Sequence, residues 1–393
     1  MKVRRHKFAL LTAIFTFCLW FILLNNYIHL RFGGEKDLVI FNGKMFGAPQ
    51  YLIEEGLNFT FTQKRQHGWD GQFHYYITHD LLNKKETYKS IDNPPYRYKR
   101  PGIGILIGPL IHIFKIKMIP PYVFTLIQGV VVSLGSYFGY LAISTIYDKN
   151  GFLILLWSLL PSTFYTSFNS LPDATADSFF WISIFFLLSN KNLLSAIFIS
   201  IAILSREVYI FIPLIIISIK VFDIYRNNFY ESIKVKFLKI FSNRHIIYYS
   251  IPLFAFLLWR LNVFLNVGSS SSGNVLGSPF DLYNQLINSY QSPQFWGLII
   301  HFLLVITLLV SSLNGINNII KMKKIKPLND NSQNLYNFLV VTLFGLACSV
   351  LYMFFGNTVL FHYTGYFKAD SILICILILI ITFKKRIFIK ARQ

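Results

Sequence analysis

Apolar runs of about twenty residues, separated by short polar or basic breaks, recur along the whole chain. A helix of that length crosses the hydrocarbon layer of a bilayer. The pattern therefore predicts spans at 8–30, 122–146, 152–168, 173–188, 246–267, 295–313, 335–355 and 371–383. Two stretches fit less simply. The run 101–118 is apolar but carries Pro101, Gly102, Gly104, Gly108 and Pro109. The run 193–222 is longer than one crossing needs and is interrupted by Arg206 and Glu207. The expected fold class is all-α: a polytopic transmembrane helix bundle of about ten spans, forming one membrane domain over 1–393.

The polar breaks divide that domain. A large loop, 32–120, follows the first span and is expected to be extracytoplasmic, with interfacial helices of its own. Core spans occupy 121–222, a basic loop 223–245, and the C-terminal spans 246–383 enclose an outer loop at 268–294. That loop opens with Gly268-Ser269-Ser270-Ser271-Ser272-Gly273, a flexible linker by composition. A basic tail, 384–393, closes the chain. No internal repeat is visible, which argues against an inverted-repeat transporter.

Two topologies agree at both ends and differ in the middle. If 101–118 crosses the membrane and 193–222 is one helix, Asp173 faces the cytoplasm. If 101–118 lies at the outer interface, 193–222 becomes two short helices hinged at Ser205-Arg206-Glu207, and Asp173 and Arg206 face outward. Loop charges do not decide, since Lys115 and Lys117 favour the first and Lys149 and Lys191 the second. An Arg–Glu pair in the middle of a lipid-facing helix is costly unless it lines a cavity or a turn, which favours the second.

Composition supports the lipid environment. Of 393 residues, 54% are hydrophobic and 14% charged, against the quarter or so of charged residues usual in soluble proteins. The 40 phenylalanines and 23 tyrosines exceed what a water-soluble core buries. The basic residues behind the net charge of +20 cluster at 2–7, 220–244, 321–326 and 384–392, each beside an apolar run. This is the positive-inside distribution, which puts both termini in the cytoplasm. Attraction to anionic membrane lipids follows, and no basic soluble domain exists to bind nucleic acid. Cys18, Cys348 and Cys375 lie in apolar runs without a pairing pattern. The run 8–30 is too long and bulky for a cleaved signal and is expected to remain as the first span.

Candidate chemistry concentrates in the first loop. His67-Gly68-Trp69-Asp70-Gly71-Gln72-Phe73-His74-Tyr75-Tyr76 places an acid between Trp and Gly, as on a tight turn, before an aromatic cluster. Such aromatics stack on sugar faces or form an interface belt. Arg97, Lys99 and Arg100 follow, and offer a lipid phosphate or pyrophosphate forked donors and positive charge, or serve as snorkelling anchors. Asp173, after Pro172 at the head of a span, reads as a helix cap or as a site acid. Arg206 and Glu207 read as a structural pair, or as a phosphate ligand with its support. His67, His74, His79 and Asp80 lack the spacing of a metal motif, so no metal ligand is assigned; a loosely held Mg²⁺ or Mn²⁺ beside a phosphate would be the one cofactor consistent with this chemistry. His362, Tyr363, Tyr366 and Lys368 either line the same cavity or anchor the last helix, and Asn58-Phe59-Thr60 matches a glycosylation acceptor, a pattern that arises often by chance.

The run Trp69-Asp70-Gly71-Gln72-Phe73-His74-Tyr75-Tyr76, followed by Tyr96-Arg97-Tyr98-Lys99-Arg100-Pro101, resembles a family of bacterial membrane proteins. Their hallmark is an aromatic-Asp-Gly-Gln-Phe-Tyr-Tyr motif with a later Tyr-Arg-x-x-Arg. That family is similar to the GT-C glycosyltransferases and is associated with cell-surface glycopolymer formation. Leu171-Pro172-Asp173 and Ser205-Arg206-Glu207 also match, while His74 replaces the usual Tyr and Asp80-Leu81 the usual Asp-Pro. The resemblance implies a bacterial cytoplasmic-membrane enzyme with an extracytoplasmic site. It would transfer a sugar from a polyprenyl-phosphate donor to a glycan or lipid-linked acceptor. Asp70 would be the general base, with Trp69, Gln72, His74, Tyr75, Arg97, Arg100, Asp173, Arg206 and Glu207 binding substrate. Phosphate is already a stable leaving group, so one base and inversion suffice. The competing readings are a carrier or flippase of a lipid-linked or anionic substrate, and a non-catalytic subunit of a glycopolymer assembly complex.

Overall fold

The computed structural model describes residues 2–57, 68–227, 232–269, 278, 281–290, 292, 294–325, 332–355 and 363–392. His67, His362, the 58–60 acceptor pattern and residues 270–273 of the linker lie outside the described residues. The structure is 82% helical, with no strand among the described residues. Its helices are α1 (Lys2–Phe32), α2 (Gln50–Glu54), α3 (Asp70–His79), α4 (Pro94–Tyr98), α5 (Gly104–Ile113), α6 (Pro121–Ile146), α7 (Leu155–Ser158), α8 (Pro161–Phe168) and α9 (Pro172–Leu188). They continue as α10 (Asn192–Ser205), α11 (Phe211–Asn227), α12 (Ile233–Ser242), α13 (Arg244–Asn266), α14 (Asp281–Asn288), α15 (Gln294–Ile325), α16 (Ser332–Met353) and α17 (Tyr363–Arg392).

Prolines set several of these starts. Pro121, Pro161 and Pro172 occupy the first helical turn, where the missing N–H would have no partner anyway. Among the described residues, six helices are long and apolar enough to cross a membrane, drawn from α1, α6, α11, α13, α15 and α16. The span expected at 152–168 is bent instead: Asp148–Ser158 and Pro161–Phe168 meet at 54°, and counting them as one span gives seven. Pro161 is the cause, because its ring and absent N–H cannot continue the preceding turn. The 193–222 run likewise divides. α10 stops at Ser205, Arg206 is extended (φ −149°, ψ 120°), and the chain resumes through a 3₁₀ turn, Glu207–Ile210, into α11. α5 has ten residues, about half a bilayer's thickness in length.

α6 is central, packed between α1 and α9, with α10 on α9 and α13 on α10. α15, α16 and α17 form a second layer, joined to the first through α17 against α8 and α16 against α11. The helices alternate in direction, so the bundle has two distinct ends. At one, Arg5 Nε donates to Asp148 Oδ1 (2.6 Å) and Arg386 Nη1 to the Thr145 carbonyl (3.0 Å). At the other, the Tyr122 hydroxyl donates to Asn25 (3.2 Å) and the Asn83 amide to the Asn266 carbonyl (3.2 Å). Residues 33–57 and 68–120 fold over this second end. α13 turns a row of exposed apolar side chains outward, including Phe254, Leu257, Leu261 and Phe264, as a lipid-facing helix does.

Candidate functional site

Asp70 does not sit on an isolated turn. It is the first residue of α3, preceded by extended Trp69. Gly71 is required there, because a Cβ at that position would lie 1.8 Å from the Asn169 carbonyl oxygen. Gly102 (φ +58°) similarly lets the chain pass Pro172, whose Cβ a side chain at 102 would meet at 3.0 Å. These two approaches bring the first-loop motif against the Leu171-Pro172-Asp173 corner. Asp70, Asp173 and Arg206 therefore share one end of the bundle.

The rest of the aromatic motif packs inward. Phe73, Tyr75 and Tyr76 are buried, with rings against Phe46 and Phe124, so they offer no face to a sugar. The Tyr75 hydroxyl donates to the Ile119 carbonyl (2.5 Å), and Gln72 accepts from the Gly43 N–H (2.9 Å). Both hold α3 to its surroundings and neither joins the charged cluster. Trp69 is half-buried, with the Arg31 guanidinium 5.2 Å from its ring centre and Tyr165 beside it. His79 receives the Ile119 N–H on Nε2 (3.1 Å), which leaves Nδ1–H to donate to the Tyr75 carbonyl (2.9 Å). Asp80 accepts from Lys84 N, Lys85 N and Thr87 Oγ1 at 2.8–2.9 Å. Both are fully engaged in shaping the loop. Among the described residues, no group of three or more His, Cys, Asp or Glu is placed to hold a metal ion.

Three charged groups make up the site. In the first, Arg97 Nη2 donates to Asp70 Oδ1 (2.8 Å), while its Nε and Nη2 grip Asp92 at 2.9 and 2.7 Å. Lys368 Nζ stands 3.8 Å from Asp70 Oδ2, too far for a hydrogen bond but close enough to act by charge. Asn93 caps α4 by accepting from Tyr96 N (3.3 Å), which fixes the helix that carries Arg97. Burial alone would raise the Asp70 carboxyl, but Arg97 and then Lys368 outweigh it and hold it at about 2. Burial, aided by Arg97, pushes the His74 imidazole down to about 3, so it is neutral. His74 is buried, and its Nδ1 has no hydrogen-bond partner among the described residues.

In the second group, Arg206 Nη1 lies 3.2 Å from Asp173 Oδ1 and donates to the Lys368 carbonyl (3.0 Å). Asp173 is not the cap residue: Leu171 holds that position, and Asp173 is the second residue of α9. In the third, Glu207 accepts from Arg100 Nε (2.6 Å) and Arg260 Nη2 (2.7 Å), and Arg100 also donates to the Tyr96 hydroxyl (2.7 Å). The expectation that Glu207 supports Arg206 is thus corrected. Adjacent side chains diverge in extended backbone, and the Arg206 break sends them to different partners. Asp92 and Arg260 escaped the sequence reading, the first in a Pro-flanked loop and the second as one cation in an apolar run. The Asp92-to-Arg97 spacing carried no recognisable period.

Two apolar hollows, one lined by Phe152, Leu156 and Pro161 and one by Phe211, Leu214 and Phe354, include no residue of this cluster. Comparison of the chain with models of known protein families, with curated proteins and with solved structures finds no match.

Proposed function

We propose that the chain is a membrane glycosyltransferase that moves a sugar from a polyprenyl-phosphate donor to a glycan or lipid-linked acceptor. The observation that carries this reading is the meeting of Asp70, Arg97, Asp173, Arg206 and Lys368 at one end of the bundle: ion pairs link Asp70 to Arg97 and Lys368 and Asp173 to Arg206, and the Arg206 guanidinium joins the two sets by donating to the Lys368 carbonyl. A carboxylate ringed by cations and beside a neutral imidazole suits a displacement in which an alcohol attacks and a phosphate departs.

In this mechanism Asp70 accepts a hydrogen bond from the acceptor hydroxyl through Oδ2, which no hydrogen bond occupies among the described residues. The acceptor oxygen bonds to the anomeric carbon as the bond from that carbon to the phosphate oxygen breaks. A carboxylate held at about 2 is a weak base at the outset. It is sufficient, because the hydroxyl proton turns strongly acidic once the new C–O bond begins to form. That proton passes to Asp70, and the phosphate leaves as an anion. His74 Nδ1 orients a substrate hydroxyl. Asp70 and Asp173 each face a cation already, a setting that does not fit Mg²⁺ or Mn²⁺. The alternating helices are read as about ten crossings, with α9, α10 and α17 completing the count. The basic end is read as cytoplasmic and the site as extracytoplasmic, in a bacterial cytoplasmic membrane.

A carrier of a lipid-linked anion is the second reading. It is favoured by ionisable groups inside the bundle: Asp177, which accepts from Tyr209 and Trp157, and the His301–Asp370 pair (2.7 Å). The Asp70→Asn variant, assayed in detergent with radiolabelled polyprenyl-phosphate sugars and glycan acceptors, separates the two. The transferase forms product without a membrane barrier and loses at least about 10²-fold of its rate in the variant. Undiminished transfer by Asp70→Asn rejects the base, and no product from the wild-type chain with any donor favours the carrier.

A further inference from the structure

The three charged groups differ in balance. Around Asp70, the cations Arg97 and Lys368 face the carboxylates Asp70 and Asp92. Arg206 faces Asp173. In the third group cations outnumber carboxylates among the described residues, with Arg100 and Arg260 sharing the one carboxylate of Glu207. These side chains are also reachable. Arg100, Glu207 and Arg260 are 25–29% exposed, whereas Arg97 and Arg206 are 13–14% exposed.

Surplus positive charge on a partly open surface calls for an anion, and forked guanidinium donors suit a phosphate. The setting is lipidic. Arg260 lies within the exposed apolar row Leu257, Leu261 and Phe264 of α13, its guanidinium 4.8 Å from the Phe256 ring centre. Trp259 Nε1 donates to the Tyr98 carbonyl (2.8 Å) and so docks this part of α13 on the chain that carries Arg100.

We infer that Arg100 and Arg260, bridged by Glu207 at rest, form the seat for the phosphate of a lipid-linked substrate whose tail lies along α13. The identity of that lipid rests on the transferase reading. Glu207 occupies the seat until the phosphate displaces it. Tyr96 stands between the seat and the Asp70 group, with Arg97 and Arg100 5.4 and 4.8 Å from its ring centre. The phosphate and the base are thereby kept on separate sides of the reacting sugar.

The test is equilibrium binding of a short-chain prenyl phosphate to the purified full-length protein in non-ionic detergent. Parallel arms use the prenyl alcohol, inorganic phosphate and phosphatidylglycerol. The expected result is tight binding of the prenyl phosphate alone, weakened about tenfold or more by Arg260→Gln and changed less than about twofold by Arg97→Gln. Arg260→Lys keeps most of the affinity. Glu207→Gln, which removes the competing carboxylate, increases it, a gain that misfolding does not produce. No binding by the wild type, wild-type affinity in Arg260→Gln, an equal loss in Arg97→Gln, or lower affinity in Glu207→Gln overturns the seat. Equal binding of inorganic phosphate or phosphatidylglycerol overturns its assignment to the substrate lipid. Arg260-dependent binding without sugar transfer refutes the transferase and leaves the seat standing; transfer with unchanged binding in Arg260→Gln does the reverse.

Discussion

Arg97 joins two carboxylates, and through that position it sets the protonation behaviour of Asp70. Its guanidinium and the Lys368 ammonium overcome the upward push of burial, so Asp70 stays ionised until the pH falls to about 2. His74, held down at about 3, stays neutral above that. A base that works in its ionised form loses activity only as pH drops through its pKa. The kcat/KM of the wild type is therefore expected to show no acid limb from these groups between about pH 4 and about pH 8. Arg97→Gln removes the largest charge that opposes burial and leaves Lys368 and His74, so the Asp70 pKa rises and an acid limb enters that window. A limb near pH 6 in the wild type, or superimposable profiles for the two proteins, contradicts this account. At this scale the sequence was only partly legible. Asp70 and Arg97 stood out by their surroundings in the motif. Gln72 and Tyr75 shared that motif but are spent on packing, a distinction that depends on neighbours from residues 43 and 119. Asp92 and Arg260 have roles set by distant partners and left no local signal.

The elements that carry these residues are fastened by ion pairs at their ends, and of the Arg–carboxylate pairs in the candidate site the most enclosed is Asp173–Arg206, with side chains 11 and 14% exposed. It ties the start of α9 to the break between α10 and α11. Removing one partner strands the other charge in a poorly hydrated place, at a cost of roughly 3 kcal/mol or more. Asp173→Ala is accordingly expected to lower the unfolding free energy in detergent by about that amount. Asp70→Ala, at a carboxylate whose side chain is 41% exposed, changes it by about 1 kcal/mol or less. The double variant Asp173→Leu/Arg206→Met recovers much of the loss, because no charge remains unpaired. Equal destabilisation by the two single variants counts against the pair as a fastening. The break itself was readable, since Arg206 and Glu207 interrupt an overlong apolar run. The bend at Pro161 was not taken from the same kind of evidence, because uniform apolarity on both sides masked it. The start of α3 was hidden for a different reason: Asp-Gly is a common turn pair, and only the Asn169 carbonyl packed against Gly71 explains the glycine as a close approach.

Across the whole molecule, the two ends of the bundle are built from different segments of the chain, and the positive-inside distribution gives each an expected side of the membrane. Arg5 and Arg386 meet the Thr145–Asp148 corner at one end, next to exposed Lys149. The other end carries the Asp70 cluster and the exposed Tyr88 and Leu82 of the first loop. Basic segments are retained on the cytoplasmic side during insertion, so the Lys149 end is expected inside and the Tyr88 end outside. This arrangement also explains why loop charges alone left two topologies open. Lys115 and Lys117 belong to the segment after α5, a helix of ten residues that packs on α3, and they say nothing about a crossing if α5 makes none. The check is labelling with a membrane-impermeant maleimide in cells, after replacing Cys18, Cys348 and Cys375. Tyr88→Cys is expected to react in intact cells, and Lys149→Cys only after permeabilisation. Reaction of both from one side would contradict the alternation of α1 and α6 across the bilayer. Labelling of Lys149→Cys alone in intact cells would turn the bundle over and place the charged cluster in the cytoplasm, where the donor and acceptor proposed for it are not presented.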